Sequence, residues 1–293
     1  MQTKRAKNLR VPNGAELKGR DVDLAEPVSV LLREVAEAEI LPRFRNLAAH
    51  ERMEKGENDV VTAADHAAEA FLSPALASLT PGALIVGEEG THEDPSLLEA
   101  LKEADLAWVI DPLDGTRNFA EGREDFAVMA ALLKDGMPVM AWIYQPLGDV
   151  MAIAEHGAGT MINGERVSLD AADMTLDAMT GEFHYGYLPA EFRPPVKEAQ
   201  EKMRTRRPRF CAGATYLNLV RDPALYAFYY RLMPWDHAPG SLIYREAGGI
   251  GRAFDGTEYR PAHPGKGLLL APNPDVWSEI RGILFPGIPL IES

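Results

Sequence analysis

An apolar segment that ends directly in carboxylates is the feature that most restricts the fold of this chain. Residues 106–110 are apolar and lead into Asp111 and Asp114. Such a run, bounded by turn-forming residues, is typical of a strand buried inside a sheet. Residues 82–87 form a second run of this kind, which ends at Glu88. We therefore expect a buried sheet with acidic groups at one end of two of its strands.

The remaining sequence alternates between segments with helical spacing and segments with strand patterns. Thr62 and Asp65 have the spacing of a capping box, so a helix is expected to begin there. Asp236 is expected to be the N-cap of a later helix. Helices are predicted over residues 27–49, 62–72, 216–220 and 237–247. Antiparallel strands are predicted over residues 126–133, 138–144 and 150–154, with a hairpin at Asn163 and Gly164 and a loop over residues 51–58.

Length and composition limit the possible domain organisation. The chain has 293 residues, 46% of them hydrophobic, which suffices for a large core shared by two closely packed halves. We expect a flexible tail over residues 1–25 and an N-terminal α+β subdomain over residues 26–160 that carries most candidate site residues. A C-terminal α/β subdomain over residues 161–293 is expected to complete the site.

Charge and cysteine content argue against several classes of function. The chain has 44 acidic and 30 basic residues, a formal charge of −14, which argues against a nucleic-acid partner because phosphate backbones require clustered Lys and Arg. No segment approaches the ~18 apolar residues of a membrane span, so no membrane partner is expected. The single cysteine, Cys211, excludes an intrachain disulfide and a thiolate zinc cluster. This is typical of a reducing compartment, and we expect a cytoplasmic protein.

Asp111 and Asp114 are candidate ligands for a hard cation. They lie three residues apart across a proline turn, and Mg²⁺ prefers oxygen ligands such as these carboxylates and the Leu113 carbonyl. Gly115 and Thr116 follow where a helix is expected to start, so their N–H groups are available to a phosphate oxygen. The alternative is an ordinary surface turn, because Asp, Pro and Gly are all common turn residues.

Three other acids have both a structural and a functional explanation. Glu88 is either an exposed loop acid or a neighbour of the two aspartates in the sheet. Asp65 is explained as part of a helix cap, and Asp236 as an N-cap unless its helix faces the other acids. His66 and His237 lack metal-ligand spacing and are expected on helix surfaces. The sequence contains no serine nucleophile elbow, phosphate-binding loop or dinucleotide fingerprint.

Four separated motifs resemble the signatures of the inositol monophosphatase family of Mg²⁺-dependent, lithium-sensitive phosphatases. The motifs are Asp59-Val-Val-Thr-Ala-Ala-Asp65, Gly87-Glu88-Glu89, the segment from Trp108 to Phe119, and Trp235-Asp236-His-Ala-Pro-Gly240. Their order and spacing agree with the family from about residue 30 to residue 285. Four motifs together are far more specific than any one alone. The resemblance implies a layered αβαβα sandwich of the sugar-phosphatase type, within the α/β (α+β) class, assembled as a homodimer.

The resemblance also implies a role for individual residues. The implied metal ligands, which would hold two or three Mg²⁺ ions, are Glu88, Asp111, the Leu113 carbonyl, Asp114 and Asp236. The implied catalytic groups, which would activate a water molecule, are Glu88, Thr116 and Asp65. The implied substrate-binding residues are Gly115, Thr116, Gly213, Ala214 and Tyr229. The reaction expected from this set is hydrolysis of a small, soluble phosphate monoester.

Tyr229 is a departure from the family pattern. Inositol-specific members have a glutamate seven residues before the position of Asp236, where this chain has Tyr229. The tyrosine argues against inositol phosphate itself, and the expected substrate classes are inositol monophosphate-like compounds, sugar phosphates, histidinol phosphate and nucleotide-derived phosphates. The alternatives are a 3′(2′),5′-bisphosphate nucleotidase, a fructose-1,6-bisphosphatase-like enzyme, or a regulator bound to the transcription machinery. Arg209 is expected to approach the loop at Gly213, and Lys55, in the family's mobile metal loop, is expected to be solvated.

Overall fold

The computed structural model describes residues 23–47, 52–56 and 59–291, with the backbone alone for residues 52–56, 59 and 60. Residues 1–22 of the expected tail lie outside the described residues, and the first helix begins at Ala25. No helix in this part of the chain is both long and apolar enough to cross a membrane. The described helices are α1 (Ala25–Val35), extended by a π-helical turn (Ala36–Ile40), α2 (Ala63–Leu79), α3 (Glu88–Glu93), α4 (Ser96–Glu103), α5 (Thr116–Ala120), α6 (Arg193–Lys202), α7 (Ala212–Arg221), α8 (Pro234–Glu246) and α9 (Pro274–Leu284).

Two sheets and one hairpin contain the described strands. The hairpin pairs β1 (Arg52–Gly56) with β2 (Asp59–Thr62). The seven-stranded sheet runs in chain order through β3 (Leu84–Gly87), β4 (Leu106–Asp114), β5 (Ala127–Lys134), β6 (Met137–Gln145), β7 (Val150–Glu155), β8 (Gly159–Ile162) and β9 (Glu165–Val167). The five-stranded sheet contains β10 (Thr180–Phe183), β11 (Thr205–Arg206), β12 (Leu225–Tyr229), β13 (Ile250–Arg252) and β14 (Leu268–Ala271), in the order β11-β10-β12-β14-β13.

Strand direction determines which loops meet at the sheet edges. In the seven-stranded sheet β3 and β4 are parallel, and every later neighbour is antiparallel. In the five-stranded sheet β10 is parallel to both β11 and β12, whereas β14 is antiparallel to β12 and β13. The strands predicted from apolar runs correspond to β3–β7, and the hairpin at Asn163 joins β8 and β9, so these predictions are confirmed.

Three hydrophobic clusters hold five layers of structure together, and the central cluster fills both interfaces between the sheets and the helices that lie between them. Helices α1 and α2 cover one face of the seven-stranded sheet, where Leu72 packs in the same cluster as Trp142. Helices α7 and α8 lie between the two sheets and contribute Tyr216 to the central cluster. Helices α6 and α9 cover the outer face of the five-stranded sheet with Val196 and Trp277. The layered αβαβα fold expected of this chain is therefore confirmed, and the subdomain boundaries stay a prediction.

Several element boundaries differ from those expected. The loop expected over residues 51–58 is largely the β1–β2 hairpin, which polar residues build without an apolar pattern, although residues 51, 57 and 58 lie outside the described part. The helix expected over residues 27–49 ends in turns after Ile40, near Pro42, which has no N–H to continue the ladder. The prediction that Asp236 is the N-cap of its helix was wrong, because α8 begins at Pro234 and its N-cap is Met233. Asp236 instead lies in the first turn of α8.

Candidate functional site

The parallel pairing of β3 and β4 brings two acidic strand ends together. Gly87 is in register with Ile110, so Glu88 and Asp111 follow adjacent residues at the same edge of the sheet. Glu88 is the first residue of the short helix α3, and it is half-buried. Asp111 is only 2% exposed. The structure therefore resolves the two explanations of Glu88 in favour of a position beside the aspartates.

The segment between Asp111 and Gly115 folds into a compact turn at the end of β4. Asp111 Oδ1 accepts a hydrogen bond of 3.0 Å from the N–H of Leu113. The pairing with β5 shifts register between Asp111 and Asp114, which marks an irregularity where the acids lie. Gly115 then adopts φ +85°, and a Cβ at this position would lie 2.7 Å from the Asp125 carbonyl oxygen. A glycine is therefore required for the chain to enter α5 at Thr116.

Asp65 connects the start of α2 to Thr116. Its Oδ2 accepts hydrogen bonds from the N–H of Thr62 (2.8 Å) and the Thr62 hydroxyl (2.7 Å), which confirms the capping box. Its Oδ1 lies 2.9 Å from Thr116 Oγ1, which is also 3.0 Å from the Leu113 carbonyl oxygen. Burial raises the pKa of Asp65 to about 6, although the hydrogen bonds from Thr62 act in the opposite direction. Asp65 therefore has both a structural contact and a contact with the site.

Four carboxylates line a single cavity of about 940 Å³. They are Glu88, Asp111, Asp114 and Asp236. Burial raises the pKa of Asp111 well above its ordinary value, and the charges of Glu88, Asp114, Asp236 and Asp65 raise it further. Negative charge therefore converges on Asp111. A divalent cation bound here would relieve this repulsion, and oxygen donors are the ligands that Mg²⁺ prefers.

Asp114 also accepts hydrogen bonds from the start of α7. Its Oδ2 lies 3.0 Å from Cys211 Sγ and accepts a 2.6 Å bond from the N–H of Gly213. Its Oδ1 accepts a 3.1 Å bond from the N–H of Ala212. The N–H of Ala214 in turn donates to Cys211 Sγ at 3.3 Å. Both oxygens of Asp114 are therefore engaged, and they link the seven-stranded sheet to the helices between the sheets.

The carboxylates are close but are not arranged as a ready metal site. Within the described residues, no group of three or more His, Cys, Asp or Glu side chains is arranged to hold a metal ion. A cation at Asp114 has to compete with the hydrogen bonds from Cys211 and Gly213. The donor set fits a hard cation in chemistry, and its binding requires side-chain movement. The assignment of individual ligands, including the Leu113 carbonyl, stays a prediction.

Glu69 is a residue of this site that the sequence patterns did not reveal. It is 8% exposed, and its two oxygens accept hydrogen bonds from the N–H groups of Glu89 (2.8 Å) and Gly90 (2.7 Å). A Cβ at Gly87 would lie 2.3 Å from the Glu69 carboxyl carbon, so this carboxylate lies directly against the end of β3. Glu69 therefore fixes the backbone directly after Glu88 and lies against Gly87 directly before it. Its position four residues after Asp65, on the same helix face, was the available signal.

Tyr229 lines the cavity and packs among aromatic rings. It is 7% exposed, and its ring stacks on His184 with 4.2 Å between centroids. His237 lies on another side, with 4.5 Å between centroids. Burial raises the pKa of the Tyr229 hydroxyl well above its ordinary value, so the group stays protonated. Its contact with substrate stays a prediction.

His237 is buried, which corrects the expectation of a surface histidine. It is 2% exposed, and its Nδ1 lies 3.2 Å from the Tyr216 hydroxyl. Its Nε2 lies 3.2 Å from the Arg231 carbonyl oxygen and donates to it, because a carbonyl only accepts. Burial lowers the pKa of His237 to about 3, so the ring is neutral. His66, by contrast, has a side chain that is 42% exposed on α2, as expected.

The segment that leads into α7 is held by the buried carboxylate of Glu182. It accepts hydrogen bonds from Arg206 Nε (2.9 Å), Thr215 Oγ1 (2.6 Å) and the N–H of Arg209 (3.1 Å). His184 Nε2 lies 3.3 Å from the same carboxylate. Burial alone would raise the pKa of Glu182, but the hydrogen bonds with His184 and Thr215 outweigh burial and lower the pKa to about 2.

The other expected substrate contacts lie behind the cavity wall. The lining reaches Cys211 and Ala212, whereas Gly213 and Ala214 are buried in α7. The N–H of Arg209 donates a hydrogen bond to Glu182, the carboxylate that holds the segment before α7. The side chain of Arg209 pairs with Asp125 at 2.7 Å. The side chain of Lys55 lies outside the described residues.

Comparison with known proteins identifies the family. The family model described as "Inositol monophosphatase family" matches residues 22–283. Nus factor SuhB of Vibrio cholerae is 33% identical over 234 residues, which covers 75% of this chain and 82% of that protein. A fructose-1,6-bisphosphatase/inositol-1-monophosphatase of Thermotoga maritima is 31% identical over 207 residues, which covers 69% of this chain and 75% of that protein. A solved inositol monophosphatase structure from Thermotoga maritima has a TM-score of 0.74 at 25% identity, which covers 90% of this chain and 97% of that chain.

Fold, motifs and comparisons define the class of protein as a layered αβαβα phosphatase. The chain belongs to the inositol monophosphatase family, and the resemblance stated from its motifs is confirmed. It is accordingly a phosphoric monoester hydrolase.

Proposed function

We propose that this protein hydrolyses a small phosphate monoester in a Mg²⁺-dependent reaction with a water nucleophile. The observation that carries the proposal is the convergence of Glu88, Asp111, Asp114 and Asp236 on one cavity, where burial and the neighbouring negative charges raise the pKa of Asp111. Family membership supports the reaction class. Bound Mg²⁺ would neutralise the phosphate oxygens and lower the pKa of a water molecule.

The protein groups in this proposal hold ions, substrate and a proton. Glu88, Asp111, Asp114, Asp236 and the Leu113 carbonyl would hold two or three ions. The N–H groups of Gly115 and Thr116 would bind a phosphate oxygen. The Thr116 hydroxyl would orient the attacking water and pass a proton to Asp65, whose Oδ1 lies 2.9 Å away. Glu88, beside Asp111, is the second candidate proton acceptor.

Replacement of Asp111 tests this proposal. Asp111→Asn keeps the shape of the side chain but removes one of the converging charges, so phosphate release should fall by orders of magnitude while the circular dichroism spectrum is retained. The matched control is Asp105→Asn, because Asp105 is exposed at the opposite end of β4 and carries the same charge. Retained activity in Asp111→Asn would contradict the proposal, and so would an equal loss in the control.

A regulatory role is the second candidate function, favoured by one observation. The Vibrio cholerae relative is named a Nus factor. Calorimetric titration with Mg²⁺ separates the two candidates, because a protein that acts only as a scaffold has no need to bind the ion. We also propose that the protein forms a homodimer, which the family resemblance supports, and that it is cytoplasmic, which the single cysteine supports.

A further inference from the structure

The carboxylate of Asp114 is oriented by three consecutive residues at the start of α7. Cys211 Sγ lies 3.0 Å from Oδ2, the N–H of Ala212 donates to Oδ1 at 3.1 Å, and the N–H of Gly213 donates to Oδ2 at 2.6 Å. Together these donors fix the plane of the carboxylate, and Oδ1 accepts only one of the three. Because the donors are adjacent in the chain, any shift of this segment moves all of them together.

A strained residue lies directly before these donors. Phe210 adopts φ +55°, a conformation that persists in an aromatic residue only where the surrounding contacts enforce it. Its side chain is 53% exposed, so packing in the core does not enforce this conformation. Asn118 Nδ2 instead donates to the carbonyl oxygens of Arg209 at 2.8 Å and of Phe210 at 3.4 Å. Hydrogen bonds from other segments therefore hold the strained backbone.

Glu182 binds this segment on both sides of the strained residue. Its Oε1 accepts a 3.1 Å hydrogen bond from the N–H of Arg209, before Phe210. The same oxygen accepts a 2.6 Å hydrogen bond from Thr215 Oγ1, beyond the three donors to Asp114. Thr215 Oγ1 also lies 3.1 Å from the carbonyl oxygen of Cys211. One carboxylate oxygen therefore spans residues 209–215.

The position of Glu182 allows it to act on Asp114 only through α7. It lies on β10 of the five-stranded sheet, whereas Asp114 ends β4 of the seven-stranded sheet. Glu182 is 1% exposed and does not line the cavity. Its Oε2 is fixed by Arg206 Nε at 2.9 Å. An ionised acceptor forms stronger hydrogen bonds than a neutral one, so Glu182 is a firm anchor for the start of the helix.

We propose that Glu182 is a positioning residue for metal binding, which holds the start of α7 so that its donors orient the carboxylate of Asp114 towards a Mg²⁺ ion. This inference rests on the proposed function, in which Asp114 is a metal ligand. Hydrogen bonds that orient a ligating carboxylate typically determine about 10- to 100-fold in metal affinity. Glu182 thereby connects the five-stranded sheet to a metal ligand on the other sheet.

The reactivity of Cys211 tests the first step without any metal. Cys211 is the only cysteine of the chain and is 2% exposed, so a thiol reagent reports the opening of this segment alone. Glu182→Gln keeps the size of the side chain but leaves one oxygen for donors on both of its sides. Labelling by 5,5′-dithiobis(2-nitrobenzoate), measured in the absence of Mg²⁺, should become at least about tenfold faster in this variant.

Calorimetric titration with Mg²⁺ tests the second step. The Kd for Mg²⁺ should rise by about 10- to 100-fold in Glu182→Gln. The Mg²⁺ concentration for half-maximal hydrolysis of p-nitrophenyl phosphate should rise by the same factor, while kcat at saturating Mg²⁺ should stay within about threefold of the wild type. A merely structural role would lower the fraction of folded protein without a change in Kd.

A second pair of variants tests the same contact from the side of α7. Thr215 is fully buried and does not line the cavity. Thr215→Val has nearly the same shape but lacks the hydroxyl that binds Glu182, so it should shift the labelling rate and the Kd in the same direction. Thr215→Ser keeps the hydroxyl and should stay close to the wild type. Combination of Thr215→Val with Glu182→Gln should have less than the sum of the two effects, because both remove one contact.

Glu246→Gln is the matched control. Glu246 also accepts a hydrogen bond from a backbone N–H, that of Gly159 at 3.1 Å, and lies 3.4 Å from a ring nitrogen of His156. Its side chain is 11% exposed, but it lies at the end of α8 opposite to Asp236. The control therefore removes a comparable carboxylate away from the site, and both the labelling rate and the Kd should keep their wild-type values.

The outcomes separate this inference from the proposed function. An unchanged labelling rate or an unchanged Kd in Glu182→Gln would overturn the inference, and so would equal shifts in Glu246→Gln. Tighter binding of Mg²⁺ would also overturn it, since the helix donors would then compete with the ion instead of orienting its ligand. A wild-type protein that binds Mg²⁺ but hydrolyses no monoester would overturn the proposed function alone. If Glu182→Gln does not fold, the two Thr215 variants decide the inference.

Discussion

Replacement of Glu69 by glutamine should weaken both the fold and the binding of Mg²⁺. The Glu69 carboxylate accepts the N–H groups of Glu89 and Gly90 at 2.8 and 2.7 Å. A glutamine of the same size has one oxygen for these two donors, and its amide nitrogen would face the other N–H. Loss of one buried hydrogen bond to a charged group should lower the free energy of unfolding by about 1.5–3 kcal/mol.

The effect on metal affinity follows from the position of Glu88 directly before the two residues whose N–H groups Glu69 binds. Loss of a group that orients a metal ligand typically costs about 10- to 100-fold in affinity. Urea denaturation followed by tryptophan fluorescence measures the first effect. The Mg²⁺ concentration for half-maximal phosphate release measures the second, and a purely structural role for Glu69 would leave it unchanged.

A neighbouring acid supplies the control for this experiment. Glu93→Gln removes the same charge from an exposed position at the end of α3, and both quantities should stay at their wild-type values. An unchanged half-saturating Mg²⁺ concentration in Glu69→Gln would refute the positioning role. An equal rise in Glu93→Gln would show that net charge, rather than the hydrogen bonds of Glu69, controls metal affinity.

Three further predictions concern the core and the acid stability. Because the pKa of Glu182 is lowered to about 2 in the folded protein, its stabilising effect is complete above its ordinary pKa of about 4.5 and is lost as the pH falls towards 2. The stability difference between wild type and Glu182→Gln, measured by urea denaturation, should therefore shrink by about 2 kcal/mol between pH 6 and pH 3, and a constant difference would contradict this. Gly240→Ala should lower the free energy of unfolding by about 1–3 kcal/mol, since the new Cβ would lie 2.0 Å from the buried Tyr216 ring; a wild-type melting temperature would show that this contact is wrong. Gly282→Ala in α9 meets nothing within 4 Å and should raise stability by about 0.5–1 kcal/mol, and a loss would count against the packing described for that helix.

The sequence predicted best those parts of the site that lie within one contiguous segment. Asp111 and Asp114 follow an apolar run, and β4 with its turn is found where that run predicts it. The second run predicted β3 but left two explanations of Glu88 open, and only the parallel pairing of β3 with β4 places Glu88 beside Asp111. The capping box of Thr62 and Asp65 is also local, with both partners within one helical turn.

Features that depend on distant partners were not predictable from local patterns. The burial of His237 depends on Tyr216 and the Arg231 carbonyl, and no spacing in the sequence reveals these contacts. Glu182 lies in a region with weak periodicity, and its partners come from two later segments. Glu69 lies in an alanine-rich helix whose pattern explains the helix but not the N–H groups bound at the end of β3.

Location of bound divalent cations in a crystal tests the central claim most directly. Crystals soaked in Mn²⁺, an ion that suits the same oxygen ligands, give an anomalous difference map in which each ion is a separate peak. We predict at least two peaks within bonding distance of carboxylate oxygens from Glu88, Asp111, Asp114 and Asp236, with Asp111 shared between them. An empty cavity, or peaks confined to other acids on the surface, would contradict the account.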